Sequence, residues 1–443
     1  VRFKWILEKL WKGRCYMVKV VVIGGGWAGC AAALTARKAG AEVVLLEKTD
    51  MLLGCGLVGG IMRNNGRYTA AEELIYLGGN ELIEITDKAA RHINVKFPGH
   101  AHASLYDVTM VEPMIRETLL EKGVTIKLMA RATDVVMENS KRIKGIVLAD
   151  DTIEYGDVFI ETTGSTGPMG NCLRYGNGCA MCILRCPSFG PRISISYRAG
   201  VEDLLGMRAD EVYGAFSGSC KLNKESLSKE IREKLERDGV VILPVPKEDI
   251  NMEKLNLKVC QQYALPEYAE NVILLDTGYV KLMTPFYPLE KLRKIPGLER
   301  ARYDDPYSGG KANSVRYLSM APRDNTMKVI GLDNLLCAGE KSGLFTGHTE
   351  AMVTGCLAGH NSVRLALGMP LLELPRNLAS GDLIAYANES IKTKEGLKKR
   401  YTFAGAEYFE RMKQLGLYTT DTNLIKERIM RNNLLKIYDE KLV

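Results

Sequence analysis

The stretch VKVVVIGGGWAGCAAALTARKAGAEVVLLEK, residues 18–48, decides the fold of this chain. Its apolar start, VKVVVI, suits a buried parallel strand, and the alanine-rich part suits a helix that leads into a second strand, Glu42–Glu47. Between the first strand and the helix, GGGWAG at residues 24–29 matches GxGxxG, a turn that lets the backbone approach a pyrophosphate closely. The stretch therefore predicts a βαβ unit that binds a dinucleotide.

The residues around this turn narrow the choice of dinucleotide. A phosphate at such a turn lies on the N-terminus of the helix, where free N–H groups and the helix dipole favour an anion. Glu47 ends the second strand, where a carboxylate accepts hydrogen bonds from ribose hydroxyls and disfavours a 2′-phosphate. We therefore expect FAD or NAD rather than NADP.

Two later segments favour FAD over NAD. DVFIETTGSTGP predicts a buried strand that ends at Thr163-Gly164. Near the C-terminal third, NLLCAGEKSGLFTGHTEAMVTGCLAGHNSVRLAL predicts a strand, Leu335–Ala338, and a helix over about 348–367, whose N-terminal dipole would stabilise the negative charge of reduced flavin. No second GxGxxG follows a strand, so NADH is expected only as a transient electron donor. The predicted FAD-binding residues are Gly24, Gly26, Ala28, Gly29, Glu47, Lys48, Thr163, Gly164, Gly339, Glu340, Gly347 and His348.

Three segments resemble a known family. KLRKIPGLERARYDDPY at residues 291–307, together with residues 334–364, resembles the glucose-inhibited division protein A superfamily. LPRNLASGDLIAYANE, residues 374–389, is similar to the branch of FAD- and folate-dependent tRNA uracil-5-methyltransferases. The resemblance implies a flavoprotein with tRNA as its partner, in which Cys55 of LLGCGLVGG takes the place of the family's functional cysteine. The second cysteine that the methyltransferases carry just before IPGL has no counterpart here.

The candidates for catalysis are Cys55, His348 and Glu350. Cys55 follows the ribose-binding strand, where a thiolate could attack a substrate if a neighbour lowers the thiol pKa; a small residue packed among glycines is the alternative. His348 begins the flavin-adjacent helix, whose dipole keeps the ring neutral and able to exchange protons, and a capping or surface histidine is the alternative. His100 and His102 are expected in a loop that faces solvent or substrate rather than a metal.

A cysteine-rich segment lies between the two FAD-binding parts of the sequence. GNGCAMCILRCPSFGPR carries Cys179, Cys182 and Cys186, and Cys172 lies upstream of them. Four thiolates at this spacing suit a [4Fe-4S] cluster or a tetrahedral zinc ion. A redox pair of the first two thiols, or plain packing of buried cysteines, explains the same pattern. The four interpretations stay open at the level of sequence.

The composition of the chain indicates its compartment and which further partners to expect. The 443 residues are 46% hydrophobic and 26% charged, and no apolar run approaches the roughly 18 residues of a membrane span, so no membrane association is expected. Eleven cysteines without a secretory signal indicate a reducing cytoplasm. Residues 392–443 carry an excess of basic side chains, which is either an electrostatic footprint for nucleic acid or a solvated helical face.

Together these features predict an α/β two-dinucleotide-binding-domain (Rossmann-like) flavoprotein with an inserted α+β substrate lobe and a helical C-terminal tail. The expected function is an FAD-dependent oxidoreductase that passes two electrons between a donor, the flavin and a small-molecule substrate or electron-transfer partner, either directly or through the Cys172–Cys186 thiols or cluster. Alternatives are a tRNA-uridine-modifying flavoenzyme that uses Cys55 and a non-catalytic protein with structural FAD; assembly into a homo-oligomer stays open. Residues 1–16 are expected to be a leader, with Met17 as the true start. The FAD-binding domain is expected in two parts, at 17–165 and 326–372, and its first part includes a β-meander at 124–148. A substrate lobe is expected at 166–325 and a basic tail at 373–443.

Overall fold

The computed structural model describes residues 17–164, 186–217, 220–284, 287–304 and 314–443. Its strands are β1 (Lys19–Ile23), β2 (Glu42–Leu46), β3 (Ile61–Met62), β4 (Ala90–Phe97), β5 (His100–Tyr106), β6 (Thr125–Lys127), β7 (Ala132–Asn139), β8 (Arg142–Leu148), β9 (Ile153–Tyr155), β10 (Val158–Glu161), β11 (Leu204–Leu205), β12 (Ala215–Ser217), β13 (Cys220–Leu222), β14 (Val240–Pro244), β15 (Asn271–Thr277), β16 (Tyr279–Leu282), β17 (Ser314–Arg316), β18 (Ser319–Met320) and β19 (Leu335–Cys337). Its helices are α1 (Trp27–Lys38), α2 (Gly66–Leu77), α3 (Glu81–Lys88), α4 (Val111–Glu121), α5 (Cys186–Phe189), α6 (Ile195–Arg198), α7 (Lys229–Asp238), α8 (Glu267–Glu270), α9 (Leu289–Leu292), α10 (His348–Leu367), α11 (Ala379–Ser390), α12 (Lys394–Lys398), α13 (Ala406–Gln414) and α14 (Thr422–Arg431).

A five-stranded parallel sheet, in the order β19-β10-β1-β2-β6, forms the centre of the fold. Its strands are apolar because other helices and strands cover both faces of the sheet. Val21 of β1, for example, lies between Val44 of β2 and Phe159 of β10, and all three residues are buried. The predicted α/β class and βαβ unit are confirmed. β2 and β19 end at Leu46 and Cys337, one residue earlier than the sequence predicts.

Helices α1 and α10 cover one face of this sheet and pack closely against each other. A Cβ atom on Gly355 would lie 2.3 Å from the carbonyl oxygen of Ala28, and one on Gly359 would lie 2.3 Å from that of Ala32. Glycine is therefore required at these two positions of α10, where the two backbones meet. The bounds of α10 agree with the predicted helix, and its packing brings the N-termini of α1 and α10 together at the carboxyl edge of the sheet.

The antiparallel meander β7-β8-β9 covers the other face of the sheet. The sequence predicts this meander over 124–148, but β6 pairs in parallel with β2 and belongs to the central sheet. The meander itself begins at Ala132 and ends at Tyr155. A short apolar strand cannot be assigned to one sheet or another by its own pattern, which explains the shift.

A second unit, here called the antiparallel lobe, consists of the sheets β13-β16-β15-β14 and β3-β5-β4. β15 joins them because its side chains alternate between two cores. Leu274 packs with the core that includes α7, whereas Leu275 packs against β3, β4 and β5. Strands from residues 61–106 thus lie in the same lobe as strands from 220–282.

The C-terminal helices pack against α1 and α2, in the part of the chain predicted to bind a dinucleotide. Glu73 of α2 accepts hydrogen bonds from the backbone N–H groups of Ala379 and Ser380, at 2.7 and 2.9 Å, and so caps the start of α11. Leu442 donates its N–H to the Ala39 carbonyl after α1, at 2.9 Å. Among the helices of the described ranges, none is both long and apolar enough to cross a membrane.

Candidate active site

A cleft opens at the carboxyl edge of the central sheet, where β1, β2, β10 and β19 all end. The turn after β1 requires glycine at residue 24, because its φ is +109° and a Cβ atom there would lie 2.5 Å from the Thr162 carbonyl oxygen. Thr162 Oγ1 donates to the Gly24 carbonyl at 2.7 Å. The turn is therefore fixed to the end of β10.

Glu47 braces this turn from the other side. Its carboxylate accepts hydrogen bonds from Gly25 N–H and Thr49 N–H, both at 2.8 Å, and from Thr49 Oγ1 at 3.0 Å. The side chain is 8% exposed and lines the cleft. The predicted ribose-binding acid thus also holds the glycine turn rigid.

The predicted FAD-binding residues fit a dinucleotide. A Cβ atom on Gly26 would meet no atom of the described residues within 4 Å, so open space lies beside the N-terminus of α1, which no acidic side chain of its first turn occupies. Gly29 faces away, since a Cβ atom there would lie 1.8 Å from the Gly24 carbonyl oxygen, and its role is close packing. The other predicted residues line the cleft: Gly24, Gly26, Ala28, Glu47, Lys48, Thr163, Gly164, Gly339, Glu340, Gly347 and His348.

Cys55 lies in a 3-10 turn, Gly54–Val58, which follows β2 after the loop at residues 47–53, and its half-buried side chain lines the cleft. The turn packs against α10, because a Cβ atom on Gly59 would lie 1.7 Å from Cε1 of His348. The structure thus brings together two residues that the sequence proposes for catalysis and that lie far apart along the chain.

Tyr106 connects the Cys55 turn to His348. Its hydroxyl lies 3.0 Å from the Gly56 carbonyl oxygen and 3.2 Å from His348 Nδ1. A carbonyl only accepts, so the Tyr106 hydroxyl donates its proton to the Gly56 carbonyl, and the tyrosine oxygen can accept a hydrogen bond from His348 Nδ1. Burial raises the pKa of Tyr106 well above its ordinary value, so the hydroxyl keeps its proton at neutral pH.

Glu350 does not line the cleft. Its fully buried carboxylate accepts from Arg67 Nε at 3.1 Å, from Thr402 Oγ1 at 2.6 Å and from Phe403 N–H at 2.9 Å. Glu350, predicted to be catalytic, instead positions Arg67 and the C-terminal segment. Its partners lie 283 and 52 residues away in the chain, so the sequence pattern around it could not indicate them.

His100 and His102 begin strand β5, which corrects the predicted loop. His100 Nδ1 accepts from Asn64 Nδ2 at 2.9 Å, and its Nε2 donates to the Gln262 carbonyl at 3.1 Å. Desolvation lowers the pKa of His100 to about 3, so the ring is neutral. His100 therefore fastens the segment around residue 262 to the rest of the site.

The segment around residue 262 and strand β16 also supply residues that line the cleft and that the sequence does not predict. They are Lys258, Cys260, Gln262, Tyr263 and Lys281. None of them lies in a recognisable motif: Lys281 belongs to β16, and the other four lie between β14 and β15. Their contribution to the cleft follows from tertiary structure alone.

The predicted metal ligands Cys172, Cys179 and Cys182 lie outside the described residues. Cys186, the first residue of α5, is half-buried and carries a free thiol. Within the described part of the chain, no three His, Cys, Asp or Glu side chains lie close enough to hold a metal ion. The cluster therefore stays a prediction, which iron and acid-labile sulfide analysis of the purified protein would test.

Comparisons with known proteins agree with this geometry. The family model described as Glucose inhibited division protein A matches residues 19–272 and 275–370. Among solved structures, GidA of Aquifex aeolicus in its form II crystal has a TM-score of 0.63, with 94% of this chain and 76% of that chain covered at 16% identity. The likeness to that structure establishes the fold.

Curated relatives match shorter segments. The tRNA uridine 5-carboxymethylaminomethyl modification enzyme MnmG of Thermus thermophilus is 36% identical over 104 residues, 22% of this chain and 16% of that protein. The methylenetetrahydrofolate-tRNA-(uracil-5-)-methyltransferase TrmFO of Dictyoglomus thermophilum is 27% identical over 257 residues, 56% of this chain and 52% of that protein. The matches thus span little more than half of these relatives' own length at most. Because the family model covers most of the chain, the resemblance seen in the sequence is confirmed, and the chain belongs to the glucose inhibited division protein A family.

Proposed function

We propose that this protein is an FAD-dependent enzyme that modifies uridine in tRNA and uses Cys55 as its nucleophile. One observation carries the proposal: the Cys55 turn and His348, which Tyr106 connects, line the same cleft as the turn predicted to bind a dinucleotide. The names of the curated relatives, both tRNA-uridine enzymes, support the choice of substrate. The general flavin oxidoreductase expected from the sequence is the broader class that contains this function.

FAD would be held by the glycine turn, Glu47 and the N-termini of α1 and α10. When bound, FAD would supply two-electron transfer, with NADH proposed as the transient donor. A Cβ atom on Gly339 would lie 2.9 Å from the Ala28 side chain, and Gly339 donates its N–H to Thr354 Oγ1 at 2.9 Å. The backbone at this edge is therefore fixed before any ligand enters, which favours tight binding of a rigid cofactor.

Cys55 would attack the substrate as a thiolate. The turn that carries it is fixed by its backbone: Leu53 and Gly54 both have positive φ, at 71° and 44°. A Cβ atom on Gly56 would lie 2.4 Å from Trp27 Nε1, so the turn is pressed against α1. The residues around the cysteine thus restrain the backbone that carries it at the cleft wall.

His348 would take up or release a proton at Nε2. Donation of the Nδ1 proton in a hydrogen bond to the Tyr106 oxygen would favour the tautomer whose basic nitrogen is Nε2. Trp27 holds the ring plane, with the two ring centroids 5.5 Å apart. The histidine is therefore oriented for general acid–base work next to Cys55.

The flavin content of the purified protein, and the reduction of that flavin, test whether the protein is a flavoenzyme. Acid release of the bound flavin should yield FAD, and anaerobic addition of NADH or dithionite should bleach its absorbance. Protein without flavin, or flavin that stays oxidised with both reductants, would contradict an enzymatic role. Binding of tRNA that weakens steeply with salt, measured on the same protein, would support the choice of substrate.

A further inference from the structure

The antiparallel lobe places two lysines in the cleft wall that the proposed mechanism does not use. Lys258 is 4% exposed and Lys281 is 6% exposed, and both line the cleft. Lys258 Nζ donates to the Met283 carbonyl at 3.1 Å, and Lys281 Nζ donates to the Val58 carbonyl. Lysines are rarely buried to this extent unless an opposite charge accompanies them.

No carboxylate balances these two charges in the part of the chain that the structure describes, where neither ammonium forms an ion pair. Besides burial, which lowers the pKa of Lys281 most, the thiol of Cys260 raises it and the cations Lys258 and Lys221 lower it. Arg67 also lines the cleft, but Glu350 neutralises it. Desolvation lowers the pKa of Lys258 to about 8 and that of Lys281 to about 7.

The two ammonium groups are nevertheless held in place. Lys258 Nζ lies 5.5 Å from the ring centroid of Tyr263 and 5.2 Å from that of Tyr268, so two aromatic faces support the cation. The bond from Lys281 to the Val58 carbonyl ties it to the end of the Cys55 turn. Positioned, buried cations next to a reactive side chain are typical of a binding site for an anion.

We propose that Lys258 and Lys281 form an oxyanion subsite that binds the carboxylate or phosphate group of a small ligand beside the Cys55 turn. The burial of both lysines favours a small molecule over a polymer, whose backbone phosphates meet exposed cations. The phosphates of a dinucleotide have their own place at the N-terminus of α1, on different elements. That the ligand is a co-substrate rests on the proposed function, whereas anion binding itself does not.

Calorimetry on the protein as purified tests the subsite, with sodium phosphate and sodium acetate as probes at constant ionic strength. We expect one of the two anions to bind, and the tighter one identifies the group. Lys258→Met and Lys281→Met should each weaken binding at least tenfold, since each removes one charge-assisted hydrogen-bond donor. Lys281→Arg, which keeps the cation, should stay within a few-fold, and Lys122→Met at an exposed site should match the wild type.

The proposal is wrong if the wild type binds neither anion, or if both methionine variants bind as tightly as the wild type. Flavin absorbance and circular dichroism establish that each variant is folded. If Lys281→Met does not fold, Lys258→Met tests the same subsite. Anion binding in a protein that holds no FAD, or that modifies no uridine, would overturn the proposed function and leave the subsite intact.

Discussion

The two walls of the cleft are built in different ways. The nucleotide-binding wall is mainly backbone: a glycine turn fixed by Thr162 and Glu47, and two helix N-termini. The wall from the antiparallel lobe is made of side chains, chiefly Lys258, Tyr263 and Lys281. A backbone wall suits a ligand common to a whole fold class, whereas a side-chain wall determines which second ligand one protein accepts.

The largest expected effect is on the backbone wall. Gly24→Ala should abolish flavin binding, because the new Cβ atom would lie 2.5 Å from the Thr162 carbonyl oxygen at a φ of +109°. Gly416→Ala is the matched control: its φ is also positive, +65°, but a Cβ atom would meet no atom of the described residues within 4 Å. Flavin absorbance per protein measures the outcome, and equal flavin content in both variants would contradict the account.

The next largest effect is expected on the free energy of unfolding, at the buried pair of Arg67 and Glu350 near the start of α10. Arg67→Met should lower the free energy of unfolding by about 3–5 kcal/mol, because it leaves the buried Glu350 carboxylate without its cation. Arg431→Met, in the exposed pair with Glu427, should leave the unfolding free energy unchanged within error. Urea denaturation compares the two variants, and similar losses in both would refute the structural role given to Glu350.

The smallest effect concerns His100, which supports the side-chain wall. Folding lowers its pKa from 6.5 to about 3, so below pH 6.5 the unfolded chain binds a proton that the folded chain does not. Stability should therefore fall as the pH drops from 6.5 towards 3, by about 1 kcal/mol between pH 7 and 5.5 from this residue alone. His100→Gln should remove that part of the pH dependence in urea titrations. An unchanged slope would mean that His100 has the same pKa in the folded and the unfolded chain, which would contradict its burial as a neutral ring.

The same contrast explains what the sequence could predict. The glycine turn, Glu47 and helix α10 were predictable because each depends on neighbours within a short motif. The role of Glu350 was not, because its partner Arg67 lies 283 residues away. Lys258 and Lys281 gave no signal because a lysine in sequence is normally an exposed residue, and only the tertiary structure shows that these two are buried.

The most direct test of the central claim is nucleoside mass spectrometry of tRNA from cells that lack the gene. The account predicts that a modified uridine disappears, that the wild-type gene and Cys220→Ala restore it, and that Cys55→Ser does not restore it although the variant still binds FAD. Cys220 is a buried core residue of the antiparallel lobe and controls for the loss of a thiol. An unchanged set of modified uridines in the deletion strain, or full restoration by Cys55→Ser, would contradict the account.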